Sequence, residues 1–398
     1  MKNRLKGAAV IASVGAVAVA GISGVAGAKA SATSHAVKTY TIAYEGPLSG
    51  GNAQLGLNMK YAVQLAVQNW NAGKNVPFKL DFTAADDQGS GTFSPGVATQ
   101  LVSNSQVIGV VGPAFSGATK AAQAVYGPAG MPLVSPSATN PALSTSDYNS
   151  HHNFFRVVAD DSAQGPADAD YAVKVLKAKK VFVVDDGSSY GSGLAQQFAA
   201  QAKKDGATVT TQTAPGTTSC AAGSGDVSQY PSLASQVKSK GVALTFYGGY
   251  YCDFGLLTGA LHTAGYSGKL MSGDGSLDPH YIDGTTPKSA ANGALITCAC
   301  TNLGKSAADV SFTKGFAKLA GFPVGTYSAE AFDAANTIIT VLKGEKSPSR
   351  AATVAGLKKV KFAGLTKTVQ FQANGNIAGK AIYVYTVKSG AIVELGAA

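Results

Sequence analysis

The chain has 398 residues, 45% of them hydrophobic and 14% charged, with a formal net charge of +10. That length exceeds what one hydrophobic core usually covers, so two domains are expected. The basic balance does not indicate nucleic-acid binding: its densest runs, Lys177/Lys179/Lys180 and Lys358/Lys359/Lys361, lack the aromatic neighbours that stack on bases, and Arg is scarce.

At the N-terminus, Lys2, Arg4 and Lys6 precede an uncharged stretch from Gly7 to Ala28 made of small and apolar residues. This reads as a secretory signal peptide over residues 1–30, with Ala28-Lys29-Ala30 as the cleavage site. A membrane anchor fits less well, because Ala and Gly gain little from transfer into hydrocarbon. No Cys follows the stretch, so a lipoprotein anchor has no attachment point. The expectation is a protein secreted to the periplasm or the extracellular space. Loss of residues 1–30 removes four basic and no acidic residues and lowers the charge to +6.

The remaining chain alternates apolar runs with helical patterns, the signature of βαβ units around parallel sheets. A strand is expected over Thr39–Tyr44, then the turn Gly46-Pro-Leu-Ser-Gly-Gly and a helix from about Asn52 to Asn71. The helix carries Leu55, Met59, Ala62, Val63, Ala66 and Trp70 at spacings of three and four, one buried stripe. Strand Phe78–Ala84, helix 94–105, strand Val107–Val111, helix 117–128 and strand Met131–Ser135 follow. The rhythm restarts with strand Val181–Asp185, helix 192–204, strand Thr208–Thr213, helix 227–239, strand Val242–Tyr247, helix 254–264, and strands Lys269–Ser272 and Ala294–Cys298. A helix over Ser328–Leu342 comes next, with Ala331, Ala334, Ala335, Ile338 and Val341 inward. The end of the chain changes to period two, with strands Thr368–Phe371 and Ala381–Val387 and a Ser389-Gly390 turn into Ala391–Leu395.

The fold class is therefore α/β, two Rossmann-like blocks joined near Phe155–Val158 with a tail that serves both. Open α/β sheets bind ligands at the carboxyl ends of their strands, so a cleft between facing lobes is the expected site.

Four cysteines in an exported chain point to disulfides. Of the three pairings, Cys220–Cys252 with Cys298–Cys300 is preferred, although two residues apart on a strand is an awkward span. A metal site is not expected: the Cys298-x-Cys300 spacing lacks a second half, and neither His262 nor His280 sits at a ligand-like offset. Asp274-Gly-Ser-Leu-Asp278 opens like a calcium loop, but Pro279 stands where Gly is required. There is no Walker A sequence and no dinucleotide fingerprint, so no cofactor is expected.

A series of segments in order carries more. Gly46-Pro-Leu-Ser-Gly, Asp86-Asp-Gln, Val110-Val-Gly-Pro-Ala-Phe-Ser-Gly-Ala-Thr119 and Ser135-Pro-Ser-Ala-Thr-Asn-Pro-Ala-Leu143 lie in the first half. Phe155-Arg-Val, Asp161-Ser-Ala-Gln-Gly165, Tyr190-Gly-Ser-Gly193, Tyr247-Gly-Gly-Tyr-Tyr251 and Gly273-Asp-Gly275 follow. Together they resemble the branched-chain amino acid (Leu/Ile/Val) binding proteins of ABC uptake systems, which have the type I periplasmic binding fold. The resemblance implies lobe 1 over 38–156 plus 302–368, lobe 2 over 157–301 plus 369–398, and a multi-strand hinge. It implies an amino acid or analogue as ligand, a membrane ABC permease as partner, a monomer, and no catalysis.

By the same resemblance, Ser116, Ser137 and Thr139 hold the ligand carboxylate through hydroxyl and backbone N–H groups, and Asp274 takes the ammonium. Many members have Glu at that place, so the shorter Asp leaves the ligand open. Tyr190 and one of the Tyr250/Tyr251 pair, with Tyr250 favoured, face the ligand. Leu55 stands where the family often has an aromatic residue, which widens the pocket.

Two alternatives remain at this level. Gly187-Ser-Ser-Tyr-Gly191 is a formal G-x-S-x-G, with His262, His280, Asp253, Asp274 and Asp278 downstream, as a secreted serine hydrolase would need. No oxyanion-type glycine run precedes it. A ligand-sensing receptor component is the other; lacking an apolar run after residue 30 long enough to span a bilayer, it would signal through a separate partner.

Overall fold

Runs of β-branched residues buried on both faces set the sheet strands, and each is followed by a helix with one apolar face. The computed structural model describes residues 37–217, 228–300 and 303–398. The expected signal segment 1–30 and Cys220 lie outside them. In chain order the first block comprises β1 (Thr39–Gly46), α1 (Ala53–Asn71), β2 (Lys79–Asp86), α2 (Ser94–Ser103), β3 (Val107–Val111), α3 (Ser116–Tyr126), β4 (Leu133–Ser135) and β5 (Phe154–Arg156). The second comprises α4 (Asp161–Asp170), β6 (Lys180–Asp185), α5 (Ser189–Lys204), β7 (Thr208–Thr213), α6 (Gln229–Ser239), β8 (Leu244–Gly248), α7 (Tyr251–Thr263), β9 (Lys269–Ser272), α8 (Pro279–Gly284) and β10 (Leu295–Cys298). The tail holds α9 (Ala307–Ala320), α10 (Ser328–Gly344), α11 (Arg350–Leu357), β11 (Lys361–Ala363), β12 (Thr368–Gln370), β13 (Tyr383–Lys388) and β14 (Ala391–Ala397).

The first sheet is all parallel in the order β2-β1-β3-β4-β5. The second runs β14-β13-β10-β9-β8-β6-β7, with β13 and β14 antiparallel at one edge. β11 and β12 pair as a small antiparallel ribbon. The tail returns to the first block: α9 and α10 pack on α1, and α10 and α11 pack on β3. Gly109 in β3 makes room there, since a Cβ would stand 3.1 Å from Ile338. Among the described residues the chain thus passes between the sheets after β5, after β10 and after β12.

Helix α1 buries Leu55, Met59, Ala62, Val63 and Ala66 as the spacing requires. Trp70 at its end is only partly buried; its ring stacks on Phe78 at 4.8 Å and its Nε1–H donates to the Phe78 carbonyl at 3.0 Å. Helices α5 and α7 begin three residues earlier than expected, at Ser189 and Tyr251. For α5 the reason is local: the Ser188 hydroxyl accepts the Gly191 N–H at 2.9 Å and caps the helix. Helix α4 escaped the pattern because its sequence is polar and contains Pro166. Helix α9 carries readable signals instead, a Ser306/Asp309 capping box and left-handed Gly321 at its end.

Cys298 at the end of β10 and Cys300 form a disulfide with Cα atoms 5.1 Å apart. Cys252 is disulfide-bonded as well, and its proposed partner Cys220 lies outside the described residues.

The first core also buries a carboxyl group. Glu45 of β1 is fully buried, accepting from the Ser94 hydroxyl at 2.5 Å and from the Tyr126 hydroxyl. Burial, reinforced by the nearby Asp87 charge, pushes Glu45 up to about 8, and burial pushes Asp87 up to about 7. Because the folded value lies above the ordinary 4.5, Glu45 favours the fold fully below pH 4.5, and this support is lost as pH rises through 8. Glu45→Gln keeps a neutral hydrogen-bonding side chain. The unfolding free energy of Glu45→Gln relative to the parent should therefore rise from pH 5 to pH 8, by at most about 1.4 kcal/mol per pH unit. A difference that stays constant across that range contradicts the buried, protonated state.

Candidate functional site

Two β-to-α transitions of the first lobe build one wall. After β3, the chain turns through Gly112-Pro113-Ala114 so that Phe115 precedes α3 and Ser116 opens it. First-turn N–H groups of a helix have no partner within it, which makes this end a donor surface. The Ser116 hydroxyl accepts the Asn140 N–H at 3.2 Å, leaving its own proton free to be donated. After β4, the Ser135–Asn140 loop is tied to the first: Ser135 donates to the Pro113 carbonyl at 2.8 Å and Ser137 donates to the Ala114 carbonyl at 2.7 Å. The Ser137 hydroxyl is thus spent on the backbone, as loop serines commonly are. The Thr139 hydroxyl is fully buried and faces the Asp161 carboxyl.

Arg156, at the end of β5, organises this loop. It is completely buried, and its guanidinium makes five hydrogen bonds. These go to the carbonyls of Ala138 (3.0 Å) and Asn140 (2.8 Å), and to the side chains of Ser144, Asp160 and Asn376 at 2.8 to 3.1 Å.

The second lobe supplies the opposite wall, and it is acidic. Asp274 follows β9 in a single helical turn; its Oδ1 accepts from the Tyr190 hydroxyl at 2.9 Å and its Oδ2 from the Tyr327 hydroxyl at 2.7 Å. Burial pushes its carboxyl above the ordinary range despite these donors and Gln164. Asp161 and Asp168, two turns apart on the buried face of α4, are likewise pushed up by burial and by the Asp274 charge. Both carboxyls are fully buried, with the Thr139 hydroxyl facing Asp161 and the Thr297 hydroxyl facing Asp168. An acceptor-rich wall of this kind attracts a cation.

Six of the seven residues expected at the site, Leu55, Ser116, Ser137, Tyr190, Tyr250 and Asp274, line one cavity between these walls, together with Phe115, Gly275 and Tyr327. Thr139 is next to it and does not line it. Tyr251 points elsewhere, its hydroxyl donating to the Gly51 carbonyl at 2.8 Å across the lobes. The enclosed space is about 10 Å³, room for one water at most. The lobes are therefore closed on each other, held also by Asn140 Nδ2 donating to the Ser189 carbonyl at 2.5 Å and by Thr326 donating to Leu277. A larger cavity of about 820 Å³ lies beyond Tyr327, which borders both.

Phe115 and Tyr327 were not expected. Phe115 sits inside a recognised segment, one residue before Ser116, so adjacency could have found it. Tyr327 has no local signal; it reaches the cleft because the tail folds back on the first lobe. The Gly187–Gly191 segment serves as a helix cap and an interlobe contact: Ser189 meets Asn140, while His280 pairs with Asp278 at 2.6 Å.

The sequence model of a family described as periplasmic binding protein matches residues 39–391. An amino acid binding protein of Pseudomonas aeruginosa is 30% identical over 274 residues, covering 66% of this chain and 70% of that relative. Leu/Ile/Val-binding protein homolog 3 of Brucella melitensis is 29% identical over 91% of this chain and 95% of its own. Among solved structures, the branched-chain amino acid transporter substrate-binding protein LivJ of Streptococcus pneumoniae, in complex with isoleucine, superposes with a TM-score of 0.78. It is 27% identical, covering 90% of this chain and all of that one.

Proposed function

Because the chain belongs to the periplasmic binding protein family with the type I fold, we propose that it is the solute-binding component of an ABC uptake system. It holds an amino acid between its lobes and hands it to a membrane permease. The observation that carries this reading is the polarity of one closed cavity. Ser116 and the start of α3 offer donors on one lobe, and Asp274, backed by Asp161 and Asp168, offers acceptors on the other. A zwitterion bridging the two lobes satisfies both walls at once, with the lobes parted enough to admit it, since the present space of about 10 Å³ holds one water at most. The ligand thus stabilises closure by differential contact, opening being needed for entry.

In this reading the first lobe spans 38–156 plus 302–368 and the second 157–301 plus 369–398. Residues 1–30 are removed on export, the mature protein is an unlipidated monomer outside the cytoplasm, and it performs no catalysis. No helix of the described residues is long and apolar enough to cross a membrane.

A thermal-shift screen of the purified protein against the proteinogenic amino acids tests the reading, since binding to the native state alone raises the midpoint by mass action. At least one amino acid should raise the midpoint in a saturable, concentration-dependent way. A screen without any such hit overturns the proposal.

A further inference from the structure

The cavity walls that remain after the two charged ends are assigned are flat rings. Phe115, from the first lobe, and Tyr250, from the second, stack face to face with centroids 4.3 Å apart and planes 22° from parallel. Tyr190 leans on the other side of Tyr250 at 5.2 Å. Both rings are wedged by glycines. A Cβ on Gly89 (φ +69°) would lie 2.6 Å from the Phe115 ring, and one on Gly275 would lie 2.7 Å from Tyr190 and 3.1 Å from Tyr250. Neither site can carry a side chain without displacing a ring, so the ring planes are set by the backbone around them.

We infer that Phe115 and Tyr250 are the two faces of a slot for the ligand's side chain, and that the ligand is an α-amino acid with a flat aromatic side chain. The inference rests on the amino-acid reading of the same cavity. Phe115 adjoins Ser116 in sequence, so the slot starts one residue from the carboxylate-binding end. Its faces belong to different lobes, so lobe opening parts them. A third ring inserted between them gives two offset stacks in series and sets the centroids of the two faces about 9 Å apart or more. Each face then keeps an aromatic partner in place of the one it gives up. A branched aliphatic chain would hold the near-parallel faces apart without matching either, and would leave gaps at their edges. Leu55 is the aliphatic side chain of the lining and closes the slot at one edge. An aromatic acid without an ammonium group would fill the slot but leave Asp274, the acidic side chain of the lining, with no cation.

Titration calorimetry of the intact mature protein with L-Phe, L-Tyr, L-Leu, L-Ile, L-Val and benzoate tests this. The expected result is that L-Phe or L-Tyr binds at least tenfold more tightly than any of the aliphatic three, and that benzoate does not bind. Phe115→Leu, with its fold checked by circular dichroism, should lower the Phe-over-Leu preference at least tenfold. If an aliphatic amino acid binds as tightly as L-Phe or more so, the aromatic slot is wrong while the amino-acid reading stands. If benzoate binds and no amino acid does, the amino-acid reading fails along with it.

Discussion

Replacing Asp274 by Ala is expected to weaken amino-acid binding by about 2–5 kcal/mol, from about 30-fold to a few thousand-fold. The loss comes from leaving the ligand's ammonium unpaired in a closed, dry cavity. The effect on the ligand-free protein has the opposite sign. Burial holds the Asp274 carboxyl above its ordinary value, so its charged form disfavours the fold at neutral pH. The conservative Asp274→Asn still offers partners to the Tyr190 and Tyr327 hydroxyls while removing that charge from beside Asp161 and Asp168. Its ligand-free thermal midpoint at pH 7–8 should match or exceed the parent's, while its affinity falls. Calorimetry and thermal melts on the same preparation check both halves. An Asn variant with undiminished affinity removes Asp274 from the binding role; one that binds weakly and also melts well below the parent makes the residue a structural support. Stability traded for a charged binding group is a common feature of functional sites.

The second large effect concerns Arg156. Its guanidinium uses all five donors, and removing it leaves the Asp160 carboxylate and the carbonyls of Ala138 and Asn140 without that partner in a buried setting. Arg156→Met should destabilise the fold by about 3–5 kcal/mol, the range for breaking a buried charge pair on one side. Urea unfolding measures this directly. Arg156→Lys should recover only part of the loss, because an ammonium has three donors and no planar fork. The loop held by Arg156 carries Ser137 and Thr139, so ligand affinity should fall in the Met variant even where it remains folded. A Met variant within about 1 kcal/mol of the parent would show that the five bonds are offset by the cost of burying the charge.

The local half of this molecule is legible in its sequence. Strands such as Val107–Val111 and the run Val181–Val184 carry no polar side chain, and the stripe of α1 repeats at helical spacing, so the βα rhythm of both blocks follows from nearest neighbours. Ser116 and Asp274, just after strands, are legible only through the family resemblance, since local sequence alone reads such loop Ser and Asp residues as turn-formers. What is not legible is non-local. Helix α4 is polar in sequence, and its buried face exists only once it packs against α5 and β10. Tyr327 enters the cleft through the return of α9 and α10 to the first lobe, which no window of sequence encodes. Arg156 stood out only as part of a familiar segment. Its role depends on Ala138, Asn140, Ser144, Asp160 and Asn376 arriving at one point.

The single tryptophan bears on how closure can be observed. Trp70 is packed on Phe78 at the end of α1, where its ring stacks on the Phe78 ring and its Nε1–H donates to the Phe78 carbonyl. Its emission therefore follows the integrity of the first lobe and stays blind to the opening and closing of the two. Optical detection of closure calls for an added pair of dyes flanking the Asn140–Ser189 contact, where the lobes touch in the closed form.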